Sequence, residues 1–386
     1  MFEPTVVDDP SLSRPTYAEI DLGILTANYR AVEQAVGKAR MLPVLKANAY
    51  GHGLVHVARH LETLGAAGLA VAFLEEGALL RRAGIRCPIL VMGGIDGSQI
   101  PQFLRYDLTI TASSVHKLRE VNQAAEALGV VARVHLKVDT GMGRIGMRPE
   151  TAPAMFEAGL QAKHVEVDGV YSHFATADRK DPEQTRLQLD VFRSCVSFYR
   201  SRGIPTPKLH IANSGAILQH SDSYLDLVRP GLLLFGLYPS EEVRRTIDVM
   251  PVLSWKSRVV FFKVQPAGYP VGYGAAWAPH EDTRIVTVPA GYGDGYFHSL
   301  SDRGAVLIGG RRRPIVGGVC MDQFMVDIGP GGEAYNGDEV VLIGSQGDAS
   351  ISAADVARWA STIPYEVLTN INTRVARRYV GPGTTS

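Results

Sequence analysis

Between about residues 20 and 240, short runs of apolar and β-branched residues alternate with longer stretches in which apolar positions recur every three or four residues. That alternation predicts βα units wound around a parallel sheet. Eight strand candidates can be counted: LPVLK from Leu42, LAVAF from Leu69, PILVM from Pro88, DLTIT from Asp107, VARVHLKV from Val131, VDGVYSHF from Val167, KLHIA from Lys208 and the stretch from Leu225 to Leu234. Eight is the number that closes a barrel. Helical spacing lies between them in ILTANYRAVEQAV, VHVARHLETL, EEGALLRRA, VHKLREVNQAAEAL and RLQLDVFRSCVSFYR, and glycine follows several of these, as a helix C-terminus prefers. From about Pro251 the texture changes to FFKVQP, IVTVPA, AVLIG, PIVGGV, MVDIG and EVVLIG, short strands separated by Gly, Pro and Asp. The charged, loop-like PSEEVRRTIDVMP separates the two textures. The predicted architecture is α/β: a (β/α)8 TIM-like barrel over residues 1–247 and a mainly β domain over residues 248–386.

A barrel of this kind carries its chemistry at the C-terminal ends of its strands, so Lys46, Lys137, His173, Asn213, Ser214 and Arg229 are expected to face one mouth. Lys46 closes the first barrel strand, before a glycine-containing turn with Tyr50, Gly51 and Gly53. Partial desolvation there lowers a lysine pKa and favours the neutral amine that a carbonyl-bearing cofactor needs. Taken alone, each residue also has a plainer reading. Lys46 would be a salt-bridged surface lysine, Ser214 a helix N-cap, Gly231 a turn glycine, Arg229 an ion-pair partner, His173 a packed strand histidine, and Lys137 with Arg144 a solvated charge pair.

Composition narrows the partners. The 39 basic and 39 acidic residues cancel, which disfavours nucleic acid, acidic polymers and anionic membranes and leaves a small-molecule substrate. No run is apolar over the ~20 residues that span a bilayer, and the N-terminus lacks the pattern of an export signal, so a soluble, cytoplasmic protein is expected. The three cysteines, Cys87, Cys195 and Cys320, are scattered and show no metal-ligand spacing, so free thiols and no metal site are expected.

The segments VLKANAYGHG, KVDTGMGRIG, YSHFATAD, HIANS, VRPGLLLFG, VGYGAAW, VPAGYGDGY and CMDQFMVDIG follow one another in the order and approximate spacing of alanine racemases, and the chain resembles that family over nearly its whole length. The resemblance implies a racemase interconverting L- and D-alanine, a route to D-alanine for peptidoglycan. It implies pyridoxal 5′-phosphate bound covalently to Lys46, with Tyr50, Ser214 and the backbone amides of Gly231 and Leu232 meeting the phosphate. Arg229 would face the pyridine nitrogen. Because a guanidinium keeps its proton, that nitrogen would stay unprotonated and the cofactor would be a weaker electron sink.

Racemisation needs an acid/base group on each face of a planar intermediate. The resemblance gives these roles to Lys46 and Tyr273, with Tyr273 reaching the barrel mouth of a second copy, so a homodimer with shared sites is implied. His173 would link Tyr273 to Arg229. Arg144 would meet the cofactor's ring oxygen and the substrate carboxylate, Lys137 would be carbamylated, and Met321 and Asp322 would contact substrate. Where the family usually has a tyrosine near the C-terminus this chain has Thr373, which predicts a roomier pocket that admits serine. His298 and Gly318 stand where arginines are common near the substrate entrance, predicting a wider, less cationic approach. Two other readings are a decarboxylase on the same barrel and a cofactor-binding protein without turnover. The first would call for a carboxylate at the pyridine nitrogen; the second leaves the β domain and Tyr273 without a role.

Overall fold

A computed structural model describes residues 14–381, which divide into two compact units. One comprises Ile24–Ala49 and Leu54–Met250; the other gathers the described residues up to Gly23, Tyr50–Gly53 and those from Pro251 onward.

Strand β1 (Tyr17–Asp21) belongs to the second unit. The first holds β2 (Arg40–Met41), β3 (Leu69–Val71), β4 (Ile89–Val91), β5 (Thr109–Ala112), β6 (Ala132–Lys137), β7 (Val165–Tyr171), β8 (Lys208–His210) and β9 (Leu227–Val228). These eight pair in parallel in the order β2-β9-β8-β7-β6-β5-β4-β3. A further parallel bridge, Val44 to Ala70, joins the segment after β2 to β3, so the sheet curls into a closed ring. The LPVLK segment makes that closure. The amides of Leu42 and Val44 donate to the carbonyls of Val228 and Pro230 at 2.9 Å on one side, and Leu45 donates to Ala70 at 2.8 Å on the other. Pro43 has no N–H to give, and its carbonyl accepts from Ala70 instead.

The helices between these strands follow the apolar spacing. Val115–Leu128 starts where Ser114 Oγ accepts the Lys117 amide, buries Leu118, Val121 and Ala125 on one face, and stops at Gly129, whose φ of +66° is the left-handed cap that glycine adopts without a Cβ penalty. Burying each large side chain stabilises the fold by roughly 1.5–3 kcal/mol, so Leu118→Ala is expected to cost about 2–5 kcal/mol. Three shorter helices, Ile100–Arg105, Ala152–Gln161 and Ser214–Gln219, were not legible from periodicity. They offer one to three turns of pattern, and the first two carry proline at N1 or N2.

The second unit is built on β10 (Leu253–Arg258), β11 (Phe261–Gln265), β12 (Thr283–Val288), β13 (Ala305–Ile308), β14 (Arg311–Val316), β15 (Phe324–Gly329), β16 (Glu339–Gln346), β17 (Ala349–Ile351) and β18 (Ala376–Val380). Their order is β11-β12-β15-β14-β13-β16-β10-β1-β18, with β17 on β16. The first described strand thus lies between β10, antiparallel, and β18, parallel. Alternate residues of β10 turn inward, and Trp255 meets Tyr296 edge-on at 5.5 Å, which in turn stacks on Phe324 at 5.1 Å. Two short helices, Ala353–Ala360 and Pro364–Asn370, follow β17 and pack against each other. Among the described residues no helix is long and apolar enough to cross a membrane.

Candidate active site

Lys46 is the last residue before a backbone reversal that the strand pattern does not foreshadow. Ala47, Asn48, Ala49 and Tyr50 all take φ between 52° and 55°, a full left-handed turn made without glycine. Each such residue costs about 1–2 kcal/mol, so neighbouring contacts must hold the turn. Asn48 Oδ1 accepts the Leu54 amide at 2.8 Å, and Glu76 Oε1 accepts the Ala47 amide at 2.6 Å while its Oε2 accepts that of Ala72 at 2.8 Å. Glu76 therefore ties the end of the Lys46 strand to the end of β3. Burial, together with the positive charges of Arg144 and Arg229, pushes the Lys46 amine below its ordinary pKa; the Glu76 carboxylate works the other way.

Arg229, after β9, is 2% exposed and is held by the barrel through both Nη1 and Nη2. Nη1 donates to His210 Nδ1 at 2.7 Å; Nη2 donates to the carbonyls of Ser172 at 2.8 Å and Ile211 at 3.1 Å and reaches His173 Nδ1 at 3.1 Å. Burial lowers its pKa to about 10, which leaves it cationic at neutral pH. Because a guanidinium only donates, Nδ1 of His173 must accept, and the His173 proton sits on Nε2. Burial and the adjacent cations, Arg229 foremost, hold His173 well below the usual histidine pKa, so it is neutral.

Lys137, at the end of β6, is buried and lies 4.0 Å above the Tyr171 ring. Burial first, then Arg229 and Arg144, depresses its pKa strongly. The following loop winds around Asp139, whose carboxylate accepts the amides of Gly141, Met142, Gly143 and Arg144 at 2.8–3.1 Å. This turn sets where Arg144 leaves the strand end.

Ser214 is buried at the first turn of its short helix, but the N-cap is Asn213, which accepts the Ala216 amide at 3.0 Å. Ser214 Oγ instead accepts the Gly231 amide at 3.0 Å. Ser214, Gly231 and Leu232 thus form one turn in which a hydroxyl hydrogen remains available to an anion.

In the β unit, VGYGAAW is a tight loop pinned at its base. Val271 and Trp277 pair across it at 2.9 Å and pack with Ile285, Val316 and Met325. Gly272 at φ +78° and Gly274 at φ +73° throw Tyr273 outward, and the residue is 82% exposed. Elsewhere in this unit the CMDQ turn docks on GYGDGY: the amides of Tyr292 and Gly293 donate to the carbonyls of Cys320 and Met321 at 3.0 and 2.8 Å. Arg374 Nη2 holds Asp322 at 2.6 Å and Asn372 Nδ2 holds the Gly293 carbonyl at 2.5 Å, so Thr373, exposed, sits between two anchored neighbours. Tyr50 falls in this unit as well, with its ring 6.3 Å from that of Tyr365.

Two family models cover the chain: the alanine racemase N-terminal domain over residues 20–239 and the C-terminal domain over residues 252–379. The chain belongs to the alanine racemase family. It is 42% identical to an alanine racemase of Halothermothrix orenii over 95% of this chain and 97% of that one, and 43% identical to one of Carboxydothermus hydrogenoformans over 95% and 100%. A solved alanine racemase of Clostridium difficile 630 superposes with a TM-score of 0.91 at 35% identity, covering 96% of each chain. The Bacillus anthracis enzyme, solved with bound L-Ala-P, gives 0.91 at 35% identity over 97% of each. Membership makes the protein an enzyme, an amino-acid racemase within a pyridoxal-phosphate-dependent family.

For this racemase-family chain, the barrel gathers Lys46, Lys137, Arg144, His173, Ser214, Arg229, Gly231 and Leu232 at the ends of its strands. Met321, Asp322, Thr373 and Tyr273 lie in the β unit. Sequence reasoning missed the braces, namely Glu76, Asp139, His210 and Arg374. An acidic residue three places into a helix is a visible capping signal, and Glu76 carries it. Its second task, holding Ala47, depends on a contact 29 residues away.

Proposed function

We propose that the protein interconverts L- and D-alanine with pyridoxal 5′-phosphate bound to Lys46, and that protons are exchanged by Lys46 on one face of the substrate and by Tyr273 of the partner subunit on the other. The observation that carries this reading is the setting of Lys46: an amine pushed toward its neutral form, close to a buried arginine that can only donate. These residues suit the cofactor. A neutral amine suits its aldehyde, Arg229 suits its ring nitrogen, and the Ser214 hydroxyl, which accepts the Gly231 amide and keeps its own hydrogen to donate, suits its phosphate together with Leu232.

When bound, the cofactor supplies an electron sink that acidifies the substrate's α-proton. Lys46 Nζ, whose pKa is lowered by burial, takes or returns that proton on its own face. The phenol needs help to lose its proton near neutral pH. His173 offers an Nε2–H, because Arg229 occupies its Nδ1, and a donor there favours the phenolate. Arg229 keeps its own proton, which limits electron withdrawal and so disfavours proton return at the cofactor carbon. The same feature argues against a decarboxylase, which would call for a carboxylate at the pyridine nitrogen where the buried guanidinium of Arg229 is assigned. Arg144, with Met321 and Asp322 of the partner subunit, is assigned the substrate carboxylate. Lys137 is assigned as a carbamate, formed when its neutral amine adds carbon dioxide and releases a proton. An anion there would face Arg229 and Arg144, whose charges now bear on the lysine.

The exposure of Tyr273 on a pinned loop supports a dimer with shared sites. The test mixes two inactive variants, Lys46→Ala and Tyr273→Phe, and follows D-alanine by chiral chromatography. With shared sites, random reassociation leaves one intact site in half of the dimers, so about a quarter of parental activity returns. No recovery would mean that each chain completes its own site, and activity retained in Tyr273→Phe alone would overturn the two-residue assignment. Supplying L-serine beside L-alanine tests whether Thr373 widens the pocket.

A further inference from the structure

Beneath Arg229 a line of polar side chains runs down the interior of the barrel. His210 Nδ1 receives Arg229 Nη1 at 2.7 Å, and His210 Nε2 meets His135 Nδ1 at 2.8 Å. His135 Nε2 faces Asp168 Oδ2 at 3.4 Å, and Asp168 Oδ1 holds Lys208 Nζ at 2.6 Å. His210 is fully buried and His135 nearly so, whereas Lys208 is half exposed at the start of β8. From Asp168 to Ser172 is four residues of extended chain, about 13 Å. The line therefore joins the catalytic end of the barrel to its opposite end.

The donors and acceptors along it can be placed one at a time. Arg229 has nothing but donors, so His210 Nδ1 is an acceptor and the His210 proton lies on Nε2. That N–H donates to His135 Nδ1, which must also be bare, so the His135 proton lies on Nε2 and points at the Asp168 carboxylate. Neither ring can take a second proton without setting two donors against each other. Both histidines are thereby neutral and of one tautomer, in keeping with the lowering of their pKa values by burial. The packing is shaped for this line. A Cβ on Gly169 would lie 2.7 Å from Nδ1 and Cε1 of His135, and the Tyr171 ring stacks on His210 at 4.7 Å with its hydroxyl 2.8 Å from Thr111 Oγ1.

We propose that His135 and Asp168 are positioning residues for Arg229: acting through His210, they hold its guanidinium in one orientation and supply a counter-charge from the far end of the barrel. Two of the guanidinium's neighbours, His173 and His210, are neutral histidines, and through His210 and His135 the Asp168 carboxylate is wired to it. The proposal rests on the assignment of Arg229 to the cofactor ring, and it makes the far end of the barrel part of the racemase machinery. The His135 N–H first, and then Lys208 as the outer partner, keep Asp168 ionised.

The test compares Asp168→Ala and Asp168→Asn with the parent, each loaded with pyridoxal phosphate. Asparagine keeps an acceptor for His135 but removes the charge; alanine removes both. The first readout is 15N–1H NMR of the histidine side chains, which reports tautomer and Nε2–H position independently of turnover. In the parent, His135 and His210 should show single Nε2–H tautomers that do not titrate where free imidazole does. Asp168→Ala should move both signals and lower kcat about tenfold with KM little changed, with Asp168→Asn in between, because outer partners of a catalytic group typically cost 10–100-fold when removed. Unmoved histidine signals with parental kcat in an active parent would overturn the proposal. So would a loss of activity matched only by a loss of thermal stability, since that is the behaviour of a purely structural residue. A parent without racemase activity would instead strike at the assigned function, while the NMR would still report on the line itself.

Discussion

The barrel mouth and the Tyr273 loop hold their functional side chains in opposite ways. In the mouth each group is fixed by several others: Arg229 by two histidines and two carbonyls, Arg144 by the Asp139 turn, Lys46 by Glu76 and Asn48. The Tyr273 loop is fixed at its base, by the Val271–Trp277 pair, and its phenol is given to solvent among the described residues. Polar groups in a desolvated pocket must be satisfied within their own unit or they cost stability. A side chain destined for another molecule's pocket is presented instead, and waits for the partner to bury it.

The largest effects should separate these two regions. Lys46→Ala is expected to abolish racemisation and with it the visible absorbance of lysine-bound cofactor. Tyr273→Phe should lower kcat by roughly 10²–10⁴-fold, the usual worth of a positioned acid/base group, while leaving that absorbance intact. If Tyr273→Phe also lost the cofactor, the division between a holding mouth and a presented loop would fail.

Next in size is a pH effect confined to the barrel. His135, His173 and His210 have folded-state pKa values below their unfolded ones, with burial as the leading cause. Above the unfolded value, about 6.5, neither state is protonated and stability is unaffected. Below it the unfolded chain binds protons that the folded chain refuses, so stability falls as pH falls, by up to about 1.4 kcal/mol per pH unit for each histidine. Denaturant unfolding followed from pH ~7 down to pH ~5 should show this loss. A barrel transition indifferent to pH over that window would mean that these rings are not held neutral.

Removing the brace on the left-handed turn should cost less. Glu76→Ala leaves the Ala47 and Ala72 amides without their acceptor and is expected to destabilise the barrel by about 1–3 kcal/mol. It should also weaken cofactor binding in an absorbance titration; unchanged binding and stability would show that the turn holds itself. The smallest effect belongs to the β unit. Thr373→Tyr should reduce serine turnover relative to alanine by about tenfold, measured as the ratio of kcat/KM values, if the threonine widens the pocket.

Much of the scaffold was open to reading along the chain. Seven of the eight barrel strands overlap the apolar runs that predicted them, while the first, β2 at Arg40–Met41, lies just before LPVLK, which contributes the bridge at Val44; helices such as Val115–Leu128 end at the glycines that follow their last apolar turn. The segment before Lys46 was read as a strand running into a glycine turn. Its strand pairing is present, but the reversal occurs over Ala47–Tyr50, before either glycine. Alanine and tyrosine have no preference for that conformation, so nothing local announces it. Strand β1 was equally hidden, because its neighbours β10 and β18 are more than 230 and 350 residues distant in sequence.

What the sequence determined alone is therefore what short range and residue chemistry decide: apolar periodicity, turn glycines, and the order of motifs that marks the family. Tertiary structure decided which atoms face each other. His135 and His210 read along the chain as two ordinary strand histidines, 75 residues apart. Their shared tautomer, and their link from Arg229 to Asp168, exist because parallel strands set them side by side in the buried interior of a barrel. A hydrogen bond depends on position to within a few tenths of an ångström, and only the closed fold supplies position at that scale.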